Sequence, residues 1–85
     1  MTQEMRSEVQ KLLANEETYK RIWKSNTNDE WHWVIQFPNQ AIHNYSGIAE
    51  SEEQAQVDIE LSTEHYIFVN RRHSLWVYFL LNSLQ

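Results

Sequence analysis

Eighty-five residues with a net charge of −5 and no cysteine are expected to make one domain, residues 1–85, because a chain this short buries only about two thirds of its unfolded surface. The missing cysteines exclude a disulfide framework and thiolate metal sites, and they fit a reducing compartment, so the expected location is the cytoplasm. All seven Lys and Arg lie in residues 1–24 or at Arg71 and Arg72, while residues 25–70 carry eight Asp or Glu and no Lys or Arg. That surface repels phosphate backbones and attracts cations, so no direct nucleic-acid partner is expected.

In residues 1–24 the apolar positions Met5, Val9, Leu12, Leu13, Tyr19, Ile22 and Trp23 recur mostly at three- and four-residue steps, the pattern of a buried helical stripe. Glu16 to Lys20 and Glu17 to Arg21 have the i,i+4 spacing and order that support a helix by about 0.2–0.5 kcal/mol each. Asn15 either caps a new helix or interrupts a long one. The expectation is an N-terminal helix, one long or two short. Charges alternate with hydrophobes here, so a secretory signal is not expected.

After the loop SNTND, the stretch WHWVIQF (residues 31–37) alternates Trp31, Trp33, Ile35 and Phe37 with His32, Val34 and Gln36, which predicts a half-buried strand. Its apolar stripe is expected to face the first helix and form the core. Stacking on nucleic-acid bases would need a basic groove, and the neighbours are Asp29 and Glu30. The turn residues of PNQ then predict a β-hairpin whose second strand is about Ala41–Ile48. Gly47, the only glycine, falls near its end, where the backbone bends or approaches a neighbour.

Residues 51–63 fit two templates. Ser51 with Gln54 forms a capping box, and Glu52 and Glu53 suit a helix N-terminus, whereas AQVDIELS alternates like a strand. In a helix, Ala55, Ile59 and Tyr66 share one face and Val57, Leu61 and Phe68 another, so burial needs contacts on both sides. The helix is preferred because Asp and Glu are poor strand residues. HYIFV, the polar NRRHS and LWVYFLL then predict a C-terminal β-hairpin, although the last segment lacks alternation and also suits a buried helix. LWVYFLL is far short of the roughly 20 residues that cross a bilayer, so no membrane partner is expected. The fold class is α+β: helix, hairpin, acidic helix, hairpin, with the helices on one face of a small antiparallel sheet.

Candidate chemistry is sparse. His32, His43, His65 and His73 lack the short spacings that place two ligands on one metal. A hairpin turning near Asn39 sets His32 opposite residues 46–47, about 10–14 Å from His43. Ser46 before Gly47 lacks the nucleophile-elbow pattern, and one glycine cannot build a phosphate loop. No catalytic residue, metal or cofactor is expected. Arg71, Arg72 and His73 read as a solvated turn.

NYSGIAESEEQA resembles, over about a dozen residues, the strand-to-helix step of double-stranded RNA-binding domains. That family places lysines at the helix start, where this chain has Glu50, Glu52 and Glu53. The resemblance therefore implies a strand followed by a capped helix, and not RNA binding.

The remaining signal is acidic. On a helix over residues 51–64, Glu53, Glu60 and Glu64 form one stripe, with Glu50, Glu52 and Asp58 expected to flank it. The function expected is a small non-enzymatic adaptor or inhibitor that docks a basic protein partner through this region. The alternative is a structural homodimer joined through LWVYFLL, seven consecutive apolar residues being more than one sheet face hides. A small enzyme or metal-binding domain would need the histidines to converge.

Overall fold

The computed structural model describes the backbone of residues 2–38 and 44–83 and the side chains of residues 2–38 and 45–70. Helix α1 spans Gln3–Leu13, strands β1, β2 and β3 span Tyr19–Lys24, Trp31–Gln36 and Asn44–Ala49, and helix α2 spans Glu52–Ser83. The strands form one antiparallel sheet in the order β1-β2-β3. The α+β class holds, with three strands and two helices among the described residues.

Helix α1 starts where Thr2 Oγ1 accepts a hydrogen bond from the Met5 amide at 3.1 Å, satisfying one amide that has no partner within the helix. It stops at Leu13. Asn15 Oδ1 accepts from the Glu17 amide at 2.8 Å, and the Thr18 hydroxyl donates to the Leu12 carbonyl at 2.8 Å. Local side-chain bonds of this kind compete with helix continuation.

The expected helix through Trp23 is therefore corrected: Tyr19–Lys24 is an edge strand. It pairs with β2 from Tyr19↔Gln36 to Lys24↔Trp31, and its residues alternate between two faces, Tyr19, Arg21 and Trp23 against Lys20, Ile22 and Lys24. Six residues containing Tyr, Ile and Trp satisfy a period of two as well as one of 3.6. The sheet partner decides between them, and the Glu16–Lys20 and Glu17–Arg21 spacings do not lie on a helix.

The predicted hairpin is present as β2 and β3, paired from Trp31↔Ala49 to Gln36↔Asn44. His32 faces Ile48 rather than residues 46–47, because the pairing from Trp31↔Ala49 to Gln36↔Asn44 is centred one position past Asn39. The expected turn residues Asn39 and Gln40, the strand start at 41–43 and His43 lie outside the described residues.

Trp33, Ile35 and Phe37 are buried together with Ala49, Ala55 and Ile59, so the alternating aromatic run fills the core. The helix that covers it is α2 rather than the first helix. Ala55 and Ile59 come from α2, and its Tyr66 stacks on Phe37 at 4.1 Å between ring centroids. Leu12 and Leu13 of α1 reach the same cluster from the side, and Val9 is 1% exposed. Thr63, the one buried polar residue described, donates its hydroxyl to the Ile59 carbonyl at 2.8 Å and so is satisfied within its own helix.

Helix α2 begins as predicted, the Gln54 amide donating to Ser51 Oγ at 3.1 Å. Only half of the capping box closes, because the Gln54 side chain turns forward and donates to Asp58 Oδ1 at 2.9 Å. The helix then continues past Thr63 to Ser83, which corrects the expected C-terminal hairpin. Beyond Gly47 the sequence contains neither glycine nor proline, so nothing between HYIFV and LWVYFLL breaks a helix. Arg and Leu are good helix formers.

Gly47 pairs with Trp33 across the sheet, and a Cβ there would lie 2.8 Å from the Trp33 indole nitrogen. The indole is 7% exposed and hemmed in by the core. Gly47→Ala should therefore destabilise the domain by about 1–3 kcal/mol, the usual cost of overpacking. Urea unfolding followed by tryptophan fluorescence checks this, with Ser46→Ala on the open face changing the midpoint little.

Candidate functional site

With Ala55, Ile59, Thr63 and Tyr66 turned to the core, α2 presents the opposite side to solvent. There Val57, Leu61 and Phe68 are 44%, 55% and 56% exposed. Steps of four and seven keep these three within about 40° of one another and roughly opposite the buried stripe. Helix α2 thus has two apolar faces, as the spacing of these residues predicts, and only one of them is covered by the described part of the chain.

Glu53, Glu60 and Glu64 line one side of this outward ridge, since 53, 60 and 64 fall within about 40° of each other. Of the five predicted site residues these three come together. Glu52 sits at the helix's first residue, about 100° from Glu53, where its charge meets the positive end of the helix dipole. Asp58 lies about 160° from Glu60 and is engaged by Gln54. The expected flanking of the stripe by Asp58 is corrected by helical geometry: it borders the ridge on the other side, with Gln54 and His65.

A shallow hollow of about 350 Å3 opens beside the ridge, lined by Met5 of α1 and by Leu61, Glu64, His65 and Phe68 of α2. Three apolar side chains, Met5, Leu61 and Phe68, share this lining with the carboxylate of Glu64 and the ring of His65. A Lys or Arg side chain suits such a place, laying its methylenes on Leu61 and Phe68 while its charge reaches Glu64. Sequence reasoning identified the acids but did not assign the ridge they border to the site. The split of Val57, Leu61 and Phe68 from the core face was the signal that could have done so.

Glu60 also lines a second groove, of about 390 Å3, with Gln10 and Leu13 of α1, Lys20, Arg21 and Ile22 of β1, and Gln56 and Ile59 of α2. The acidic stripe is therefore not isolated from the cations of β1. Glu60 is the residue where the two charge groups meet.

The sheet face away from the helices carries a cross-strand ladder. Arg21 lies over the Trp23 ring at 4.9 Å, Trp23 stacks on His32 at 5.5 Å, and His32 Nε2 is 3.9 Å from Glu30 Oε2. These rings engage one another. No group of three or more His, Cys, Asp or Glu able to hold a metal occurs among the described residues, and none of the helices there is long and apolar enough to cross a membrane. The stretch resembling the strand-to-helix step of double-stranded RNA-binding domains is a strand followed by a capped helix, with Glu50, Glu52 and Glu53 exposed at the helix start.

In comparisons with known proteins, no family model, no curated protein and no solved structure matches the chain.

Because the ridge does not support the core, Leu61→Ser and Phe68→Ser should each shift the unfolding free energy by no more than about 0.5 kcal/mol. Ile59→Ala, on the buried face, should cost about 2–5 kcal/mol. Parallel urea titrations of the three variants check the assignment of faces.

Proposed function

We propose that this protein is a non-enzymatic binding module, an adaptor or inhibitor, that docks a basic amphipathic segment of another protein on the outward face of α2. The single observation that carries the reading is the exposed ridge of Val57, Leu61 and Phe68 bordered by Glu53, Glu60 and Glu64. A helix face that serves only solubility is polar throughout. An apolar strip rimmed by one sign of charge suits a partner helix with an apolar stripe and Lys or Arg beside it.

The length of α2 supports the same reading. Thirty-two residues span about 48 Å, whereas six-residue strands span about 20 Å. The helix is thus more than twice as long as any strand of the sheet on which it packs.

A helical Leu/Lys peptide titrated against the full chain and read by fluorescence anisotropy tests the proposal, with a Leu/Glu peptide as control. The Leu/Lys peptide should bind, weaken with added salt, and lose about tenfold in affinity when Glu53, Glu60 and Glu64 are all changed to Gln. Phe68→Ser should weaken it further. Equal binding of the Leu/Glu peptide would overturn the charge argument. Sedimentation as a dimer that Phe68→Ser dissociates would transfer the ridge to a second copy of the chain, a contact distinct from a homodimer joined through LWVYFLL.

A further inference from the structure

Among the described residues no strand pairs with the outer edge of β1, and the chemistry of that edge differs from that of α2. Ser25 donates its amide to the Glu30 carbonyl at 2.9 Å, which marks Ser25 and Glu30 as a hydrogen-bonded pair. In an antiparallel ladder such pairs alternate, so Tyr19, Arg21 and Trp23 turn their backbone groups toward β2. Lys20, Ile22 and Lys24 turn theirs outward. The same three residues place their side chains on the helix side, where Ile22 packs against the core cluster and lines the groove with Leu13, Ile59 and Glu60.

An edge strand that turns amides and carbonyls outward beside a groove where Leu13, Ile22 and Ile59 lie among polar neighbours is a setting in which an extended peptide can add to a sheet. Which strand can add is decided by charge. A second copy pairing antiparallel about Ile22 would set Lys20 against Lys24 twice, and like charges directly opposed are destabilising. Lysine is an ordinary guard of an edge, but it guards only against neutral or cationic strands. Lys24 has one weak competitor, Asp29, at 3.8 Å with both side chains well exposed, a pair that contributes little. The opposite edge lacks this selectivity, since the helix-side residues of β3 are Tyr45, Gly47 and Ala49.

The geometry points to β1 as a docking edge for an extended acidic peptide that adds antiparallel, with a carboxylate opposite Lys20, an apolar residue opposite Ile22 and a second carboxylate opposite Lys24. The central position is apolar for two reasons: it points toward Leu13 and Ile59, and Glu60 on the helix wall opposes an acid there. The peptide residues opposite Lys20, Ile22 and Lys24 turn their own amides toward β1, and the residues between them do not. This surface meets the border of the outward face of α2 only at Glu60 and takes a partner of opposite charge.

The test uses the full chain and a fluorescein-labelled peptide of sequence TETITET, read by anisotropy, with TKTITKT as the charge-reversed control. TETITET should bind about tenfold more tightly than the control, from two cross-strand charge pairs. In a variant carrying Lys20→Glu and Lys24→Glu the preference should invert, an outcome that misfolding cannot produce. Methylating the Glu and Ile amides of the peptide should abolish binding, while methylating the threonine amides should not. Leu61→Ser with Phe68→Ser should leave TETITET binding unchanged, so this proposal and the α2 reading stand or fall separately. Equal binding of the two peptides, or indifference to which amides are methylated, overturns the assignment.

Discussion

The seating of α2 on β2 is the interaction on which the rest of this structure depends. Trp33, Ile35 and Phe37 project from alternate positions of one strand, and Ala55, Ile59 and Tyr66 project from successive turns of one helix. Two small residues make the fit possible. Ala55, wholly buried, lets the helix backbone approach the sheet, and Gly47 leaves room for the Trp33 indole to lie over its neighbouring strand. The arrangement has a cost, because the indole nitrogen of Trp33 is buried without a hydrogen-bond partner among the described residues, a loss of about 1–3 kcal/mol. The apolar surface of the ring, roughly 150–250 Å2 in an aromatic of this kind, outweighs that loss at about 25 cal/mol per Å2.

That core was legible in the sequence where a pattern was both long and unambiguous. The alternation of Trp31 to Phe37 admits one reading, and Ser51 with acids after it marks a helix start whether or not the full capping box forms. Two other segments were not legible, for different reasons. Tyr19–Lys24 is too short for its apolar spacing to choose between periods, so pairing with β2, a long-range contact, decides it. Tyr66–Leu81 carries strand-favouring aromatic and β-branched residues on a stretch without helix breakers, and the continuity of the helix prevails over residue preference.

The candidate site was legible in part, and the limit is geometric. Glu53, Glu60 and Glu64 follow from helical steps alone. Asp58 is close to Glu60 in sequence but not on the surface, since two residues along a helix is nearly the far side. The exposure of Val57, Leu61 and Phe68 depends on which face the sheet takes, and that became visible only with α2 in place.

Charge segregation along the chain becomes charge segregation in space through this topology. The cations of residues 20–24 sit on a sheet edge, and the acids of residues 53–64 sit on the helix that crosses above it. They come together at the groove that Glu60 shares with Lys20 and Arg21. Carboxylate and cations close by in a wet groove attract one another only weakly, so each remains available to an outside charge. Had the acidic segment Glu52–Glu64 folded as a strand in the same sheet, the two signs would have alternated across neighbouring strands and neutralised each other in cross-strand pairs. Because it folds as a helix laid over the sheet, the molecule keeps one negative border on α2 and one positive border on β1, each beside exposed apolar side chains.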